Sequence, residues 1–117
     1  MGSEMCIRDR SIAEFQAIQF KLADMATDLE AARLMLYEAA KTLDDGKAEK
    51  TRKSAMAKRF VTDTCFNVAN EALQIHGGYG YLQDYEIERM VRDLRVHQIL
   101  EGTNEVMRMI IARDLLK

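Results

Sequence analysis

The sequence predicts an all-α fold, an antiparallel helical bundle. Three observations carry that expectation. The 117 residues contain no proline, so no ring breaks a helix from within. Apolar residues recur at alternating steps of three and four, with little β-branched alternation. Glycines gather at Gly46 and at Gly77, Gly78 and Gly80, where the periodic stretches stop.

The elements follow in order. Met1 to Arg10 (MGSEMCIRDR) has no helical period and no apolar core of a signal peptide. It reads as a foreign segment, which leaves 11–117 as the helical domain. Helix one begins at Ser11, where Ser11 and Glu14 have the spacing of a capping box. Its stripe is Phe15, Ile18, Leu22, Met25, Leu29, Ala32, Leu36, Ala39 and Leu43, the seam of a helix packed nearly antiparallel on others. Asp44-Asp45-Gly46 ends it, with Gly46 suited to a left-handed C-cap.

Helix two runs from about Ala48 to Ile75. Met56, Phe60, Val61, Cys65, Val68, Ala72 and Ile75 face inward, and Lys47, Lys50, Arg52 and Lys53 read as a solvated face. A third helix fits Tyr85 to Leu94, with Ile87, Met90, Val91 and Leu94 buried. A fourth fits Asn104 to Leu116, with Thr103 as N-cap and Val106, Met109, Ile110 and Leu115 inward. The two long helices would each measure about 40 Å, more than the short ones cover. An apolar face is left for another domain or subunit.

Composition bounds the function. Hydrophobic residues make up 48% and charged residues 31%, with a formal net charge of −2. That balance leaves no basic footprint for nucleic acid, and no apolar run approaches the ~18 residues of a membrane span. Cys6 and Cys65 form no disulfide framework, and Cys65 reads as a buried thiol of a reducing compartment. His76 and His97 have no second ligand nearby in sequence, so no metal site is expected.

Two stretches suggest chemistry. In Val96-His97-Gln98-Ile99-Leu100-Glu101-Gly102-Thr103-Asn104-Glu105-Val106-Met107-Arg108, a carboxylate sits on a turn before a glycine, just where a helix begins. In Gln74-Ile75-His76-Gly77-Gly78-Tyr79-Gly80-Tyr81, three glycines let the backbone approach a ligand. Each has a plainer reading. Glu101 fits a surface carboxylate favoured by the positive end of the last helix, and the glycines fit a helix stop. His76 fits a cap, the tyrosines fit interfacial packing, and Arg92, Asp93 and Arg95 fit surface ion pairs.

Taken together, QIHGGYGY, MVRDLRVHQ and ILEGTNEVMRMIIARDLL resemble the C-terminal signature of the acyl-CoA dehydrogenase family. The likeness extends back through Ala13-Glu14-Phe15-Gln16-Ala17-Ile18-Gln19-Phe20 and covers Ser11 to Lys117. Leu100 before the glutamate, where many members have tyrosine, looks most like the isobutyryl-CoA dehydrogenase branch.

The resemblance implies a flavoenzyme that desaturates a short or branched acyl-CoA between its α and β carbons. Glu101 would be the base that takes the α-proton while the β-hydride passes to FAD. A thioester α-proton is a poor acid, so the base must be close and oriented, and Gly102 leaves room beside it for the thioester. The backbone N–H of the glutamate and the flavin ribityl chain would stabilise the enolate oxygen. Phe15 and Gln16 would contact FAD. Gln74, Ile75, His76, Gly77 and Gly78 would meet the ADP half of a flavin held mainly by a neighbouring subunit. Thr103, Asn104 and Glu105 would flank the base beside the cofactor.

The implied partners are acyl-CoA, an electron-transfer flavoprotein and further copies of the chain, as a dimer or tetramer. The compartment would be the bacterial cytoplasm or the mitochondrial matrix. The resemblance also implies absent parts. The family's first C-domain helix and its two preceding domains are missing, and Met1 to Arg10 stands where an RxxFG segment belongs. The alternatives are an acyl-CoA oxidase fragment, or a helical association module without activity.

Overall fold

The computed structural model describes residues 6–7, 10–11, 15–77 and 86–117. The all-α expectation holds. Helices α1 (Gln16–Asp44), α2 (Lys50–His76), α3 (Ile87–His97) and α4 (Asn104–Leu115) carry the fold. The other regular elements among the described residues are two antiparallel two-residue strands, β1 (Cys6–Ile7) and β2 (Arg10–Ser11). The expected boundary between residues 10 and 11 therefore falls inside β2.

Ser11 does not open the first helix. It is extended and paired with Cys6, so it lacks the position a capping box requires. Glu14 lies outside the described residues. The helix begins at Gln16, with Phe15 extended at the N-cap and no side chain capping it. The N–H groups of Ile18 and Gln19 bond the Phe15 carbonyl instead, at 3.1 and 3.0 Å. The other end matches expectation. Gly46 has φ +65, its N–H donates to the Leu43 carbonyl, and the Lys47 N–H donates to Thr42 O. This is a Schellman stop, which favours a residue without a Cβ at its left-handed position.

Ion pairs mark the register of the antiparallel α1–α2 hairpin. Lys21 Nζ lies 3.1 Å from Glu71 at one end, and Lys53 Nζ lies 2.7 Å from Glu38 toward the other. Arg52 pairs with Asp114 at 3.0 Å and ties α2 to the last turn of α4. Arg52 and Lys53 therefore bridge helices rather than forming a solvated face, because α1 and α4 both pack along that stretch of α2.

α3 and α4 behave as one interrupted helix against α2. The end of α3 meets α2 at Asp63 through Gln98. The start of α4 meets it at Lys58 and Asp63 through Asn104. α4 then runs back to Arg52. The sequence expectation put the end of α3 at Leu94, but the helix continues to His97, close to the break. The six residues of that break, 98–103, contain Glu101.

The core differs from the one the periodicity predicts. The fully buried apolar residues are small in the main: Ala32, Ala39, Ala55, Ala57, Ala69 and Ala72, with Leu73 and Ile75. Helices meet closely on these alanines, and large side chains lie at the flanks. Leu29, Leu36 and Leu43 are 42, 48 and 56% exposed, so part of the α1 stripe is left open among the described residues. Met90, Val106, Met109 and Leu115 are likewise exposed. On α4 the face turned to α2 is instead Met107, Ile110, Ile111 and Asp114, an i, i+3, i+4, i+7 set. Both helices are apolar on two faces, and periodicity alone does not say which one meets α2.

Candidate functional site

Glu101 is the one non-glycine residue with positive φ among the described residues, at +58. An L-residue there costs about 1–2 kcal/mol. Such strain persists only where the surroundings over-determine it. Gly102 follows with φ +90. Two successive left-handed residues break the helix between α3 and α4, and the Glu101 side chain is exposed. A Cβ on Gly102 would come within 2.9 Å of Met107 Cε.

Five residues, three on α2 and two on the α3–α4 segment, lock this turn. Lys58 Nζ donates to the Gly102 carbonyl at 2.7 Å and to Asn104 Oδ1 at 2.6 Å, with the Gln98 carbonyl at 3.5 Å. Asn104 Nδ2 donates to Asp63 Oδ1 at 2.7 Å and to Thr62 Oγ1 at 2.9 Å. Gln98 Nε2 reaches the same Asp63 oxygen at 2.8 Å. The Asn104 N–H closes the turn on the Gln98 carbonyl at 3.1 Å. The other oxygen of Asp63 faces Arg59 at 3.6 Å and Arg108 at 3.8 Å. Every polar group of the Asn104 amide is thus engaged within the chain.

Asn104, expected to flank the cofactor, is instead held against α2 in this chain. At 3% exposure, its side chain faces α2 and not the space in front of the turn. Both of its amide protons and its oxygen are already bonded within the chain. Thr103 takes its expected N-cap position, and its Oγ1 accepts from the Val106 N–H at 3.2 Å. The hydroxyl proton remains for an outside acceptor. Glu105 is exposed in the first turn of α4, near Arg108 at 3.8 Å.

The remaining candidates lie elsewhere. Phe15 and Gln16 begin α1, and Gln74, Ile75, His76 and Gly77 end α2. The antiparallel hairpin brings these termini to one end of the molecule. Gln74 is exposed and Ile75 is buried. His76 Nδ1 lies 2.8 Å from the Ala72 carbonyl, so that nitrogen carries the proton. Gly77 adopts φ +63, ψ −142 with open space where a Cβ would stand. Gly78 lies outside the described residues, as do Tyr79, Tyr81 and Tyr85.

Two clusters result, not one site. Eighteen residues of α2 separate Lys58 from His76, about 27 Å at 1.5 Å per residue. The turn with Glu101, Gly102, Thr103 and Glu105 is therefore remote from the hairpin end with Phe15, Gln16 and Gly77.

The sequence reading missed Lys58, Thr62 and Asp63. A signal existed. They share one polar strip, spaced i, i+4 and i+5, inside the otherwise apolar middle of α2. Cys65 is half-buried and free, and burial pushes its thiol pKa up. No group of metal-ligating side chains occurs among the described residues. No helix there is long and apolar enough to cross a membrane.

Comparison with known proteins gives a consistent picture. The family profile described as acyl-CoA dehydrogenase, C-terminal domain, matches residues 7–116. Mitochondrial isobutyryl-CoA dehydrogenase of Bos taurus is 56% identical over 106 residues, 91% of this chain and 26% of that protein. A subunit of the caffeyl-CoA reductase–Etf complex of Acetobacterium woodii is 51% identical over 108 residues, 92% of this chain and 28% of that protein. The structure of butyryl-CoA dehydrogenase from Megasphaera elsdenii superposes with a TM-score of 0.94 at 41% identity, covering 99% of this chain and 30% of that one. The chain spans less than a third of the length of each.

Proposed function

The chain belongs to the acyl-CoA dehydrogenase family, as its C-terminal helical domain, and on that premise we propose that Glu101 is the base of an α,β-desaturation of a short or branched acyl-CoA. One observation carries the reading. Glu101 alone among the described non-glycine residues is held at positive φ, exposed, in a break between two helices that both pack on α2. A bland surface carboxylate needs no such conformation, and strain of this kind gathers at functional sites.

The chemistry assigned to the turn is proton transfer. The α C–H bond breaks and its proton passes to the Glu101 carboxylate. The electron pair forms the Cα=Cβ bond as the β-hydrogen leaves with its pair. FAD, when bound, supplies the acceptor for that hydride. The Glu101 N–H is the donor this chain offers to the thioester oxygen as it gains enolate character. Gly102 keeps the approach clear of a side chain.

The residues present suit flavin sites shared between copies, each cluster facing a different cofactor. Thr103, with its free hydroxyl proton, and Glu105 flank the base. Phe15, Gln16 and the open backbone at Gly77 meet a second cofactor, held mainly by a neighbouring subunit, at the other end. The 27 Å or so between them exceeds what one active site spans, which supports an assembly with shared flavin sites. The uncovered apolar residues of α1 and α4 support the same reading, and the isolated chain serves as an association module. An electron-transfer flavoprotein is the proposed electron acceptor, on the strength of the Etf complex named for the Acetobacterium relative.

That relative is named a reductase, which favours a second reading in the reverse direction. A protonated Glu101 would then return the proton to Cα of an enoyl-CoA. The turn serves both directions by microscopic reversibility.

The test is Glu101→Gln in the whole enzyme. The change keeps shape and polarity and removes the proton acceptor. Flavin reduction by acyl-CoA, followed by stopped-flow bleaching, should slow at least ~100-fold with FAD still bound. A variant keeping more than a tenth of the rate would move the base elsewhere.

A further inference from the structure

We propose that Lys58 is a positioning residue for the base. Its ammonium holds the turn that forces Glu101 into its left-handed conformation. The inference rests on the reading of Glu101 above and deepens it.

The geometry is specific. Lys58 lies on α2, 44 residues before Gly102, and its nitrogen caps the carbonyl immediately after the base at 2.7 Å. It also holds Asn104 Oδ1 at 2.6 Å, the side chain that begins α4. The third acceptor around it is the Gln98 carbonyl, one residue past the end of α3. One cation thus faces acceptors on both sides of Glu101. Lys58 fixes the Gly102–Thr103 peptide, one residue beyond Glu101, and so holds the far side of the turn in which Glu101 takes its left-handed conformation. Asp63 completes the clasp by accepting from Gln98 and Asn104.

Lys58 touches neither substrate nor cofactor in this account. Removing it should leave binding intact and misplace the base. An error of about 1 Å in such a group costs up to ~100-fold.

The test is Lys58→Met in the whole enzyme, with Glu101→Gln in parallel. Flavin reduction is measured per bound FAD with unlabelled and α-deuterated acyl-CoA. We expect Lys58→Met to slow reduction by ~10- to ~100-fold, with KM for acyl-CoA changed less than about twofold. The α-deuterium isotope effect should rise, because proton transfer becomes the slower event. A variant that merely misfolds loses flavin without changing the isotope effect, and that result overturns the proposal. So does a wild-type rate in Lys58→Met beside a dead Glu101→Gln, which leaves the base reading standing. An active Glu101→Gln overturns both. If Lys58→Met is insoluble, Gln98→Met cuts the turn's bond to Asp63 from the partly exposed side. A raised isotope effect there supports the clasp, and wild-type behaviour overturns it.

Discussion

Asn104 Nδ2 stands 2.7 Å from Asp63 Oδ1, across 41 residues of sequence. This bond and its neighbours make the helix break a fixed structure and not a loop. We predict that Asn104→Ala destabilises the chain by about 1–2 kcal/mol, since it removes hydrogen bonds to the half-buried Lys58, Thr62 and Asp63. Urea denaturation measures it. A loss under ~0.5 kcal/mol would fall in the range of ordinary surface substitutions and show that water replaces the amide.

Strain at Glu101 gives a second prediction. Glu101→Ala keeps a Cβ at φ +58, and Glu101→Gly does not. The glycine variant should be the more stable of the two by about 0.5–1 kcal/mol, the relief of a left-handed L-residue less the extra unfolded-state freedom of glycine. An ordinary right-handed or extended site reverses the order, and that reversal in paired melts would remove the argument from strain.

The sequence made the four helices, the Thr103 cap and the Gly46 stop legible, because each depends on residues within one turn of the chain. The Glu101 turn was legible through its motif. Its supports were not. Lys58 and Asp63 act on residues about forty positions away, and no local pattern carries that pairing. Asn104 illustrates the difference: three residues after Glu101, its amide suggested a cofactor contact through the motif, and only the packing of α4 on α2 shows it turned inward. Ser11 failed for the opposite reason, since a correct local pattern lost to an extended backbone. The Leu29, Leu36 and Leu43 stripe was apolar as read. Among the described residues these leucines stay exposed, so periodicity found the stripe but did not say which face packs on α2.

Cys65 offers a prediction about reactivity. Burial raises the pKa of its thiol, so less thiolate is present near neutral pH than for a free cysteine, and thiolate is the reactive form. Alkylation by iodoacetamide at pH 7.5 should be several-fold slower at Cys65 than at a free thiol. It should rise to the free rate in strong denaturant. Peptide mass spectrometry reads the site. Equal rates in folded and unfolded protein would place Cys65 on an open surface.

The two clusters bear on flavin binding. In this chain, the Thr103 turn and the Phe15–Gly77 end stand about 27 Å apart along α2, so no single FAD reaches both within one copy. Each offers only a few polar contacts: the Thr103 hydroxyl and Glu105 at one, Gln16 and the open Gly77 backbone at the other. Asn104 adds nothing, since its amide is consumed by α2. Such contacts must first offset ordering and desolvation costs of at least ~4 kcal/mol. We predict that the 117-residue chain binds FAD with a Kd weaker than about 0.1 mM, a binding free energy no more favourable than about −5 kcal/mol. Titration of FAD fluorescence against the purified chain checks it, at low and at high chain concentration with the association state measured in parallel. Stoichiometric quenching at micromolar chain would show that one cluster suffices to hold the cofactor. Quenching that appears only with self-association would instead show that two copies bring the Phe15–Gly77 end of one to the Thr103 turn of the other.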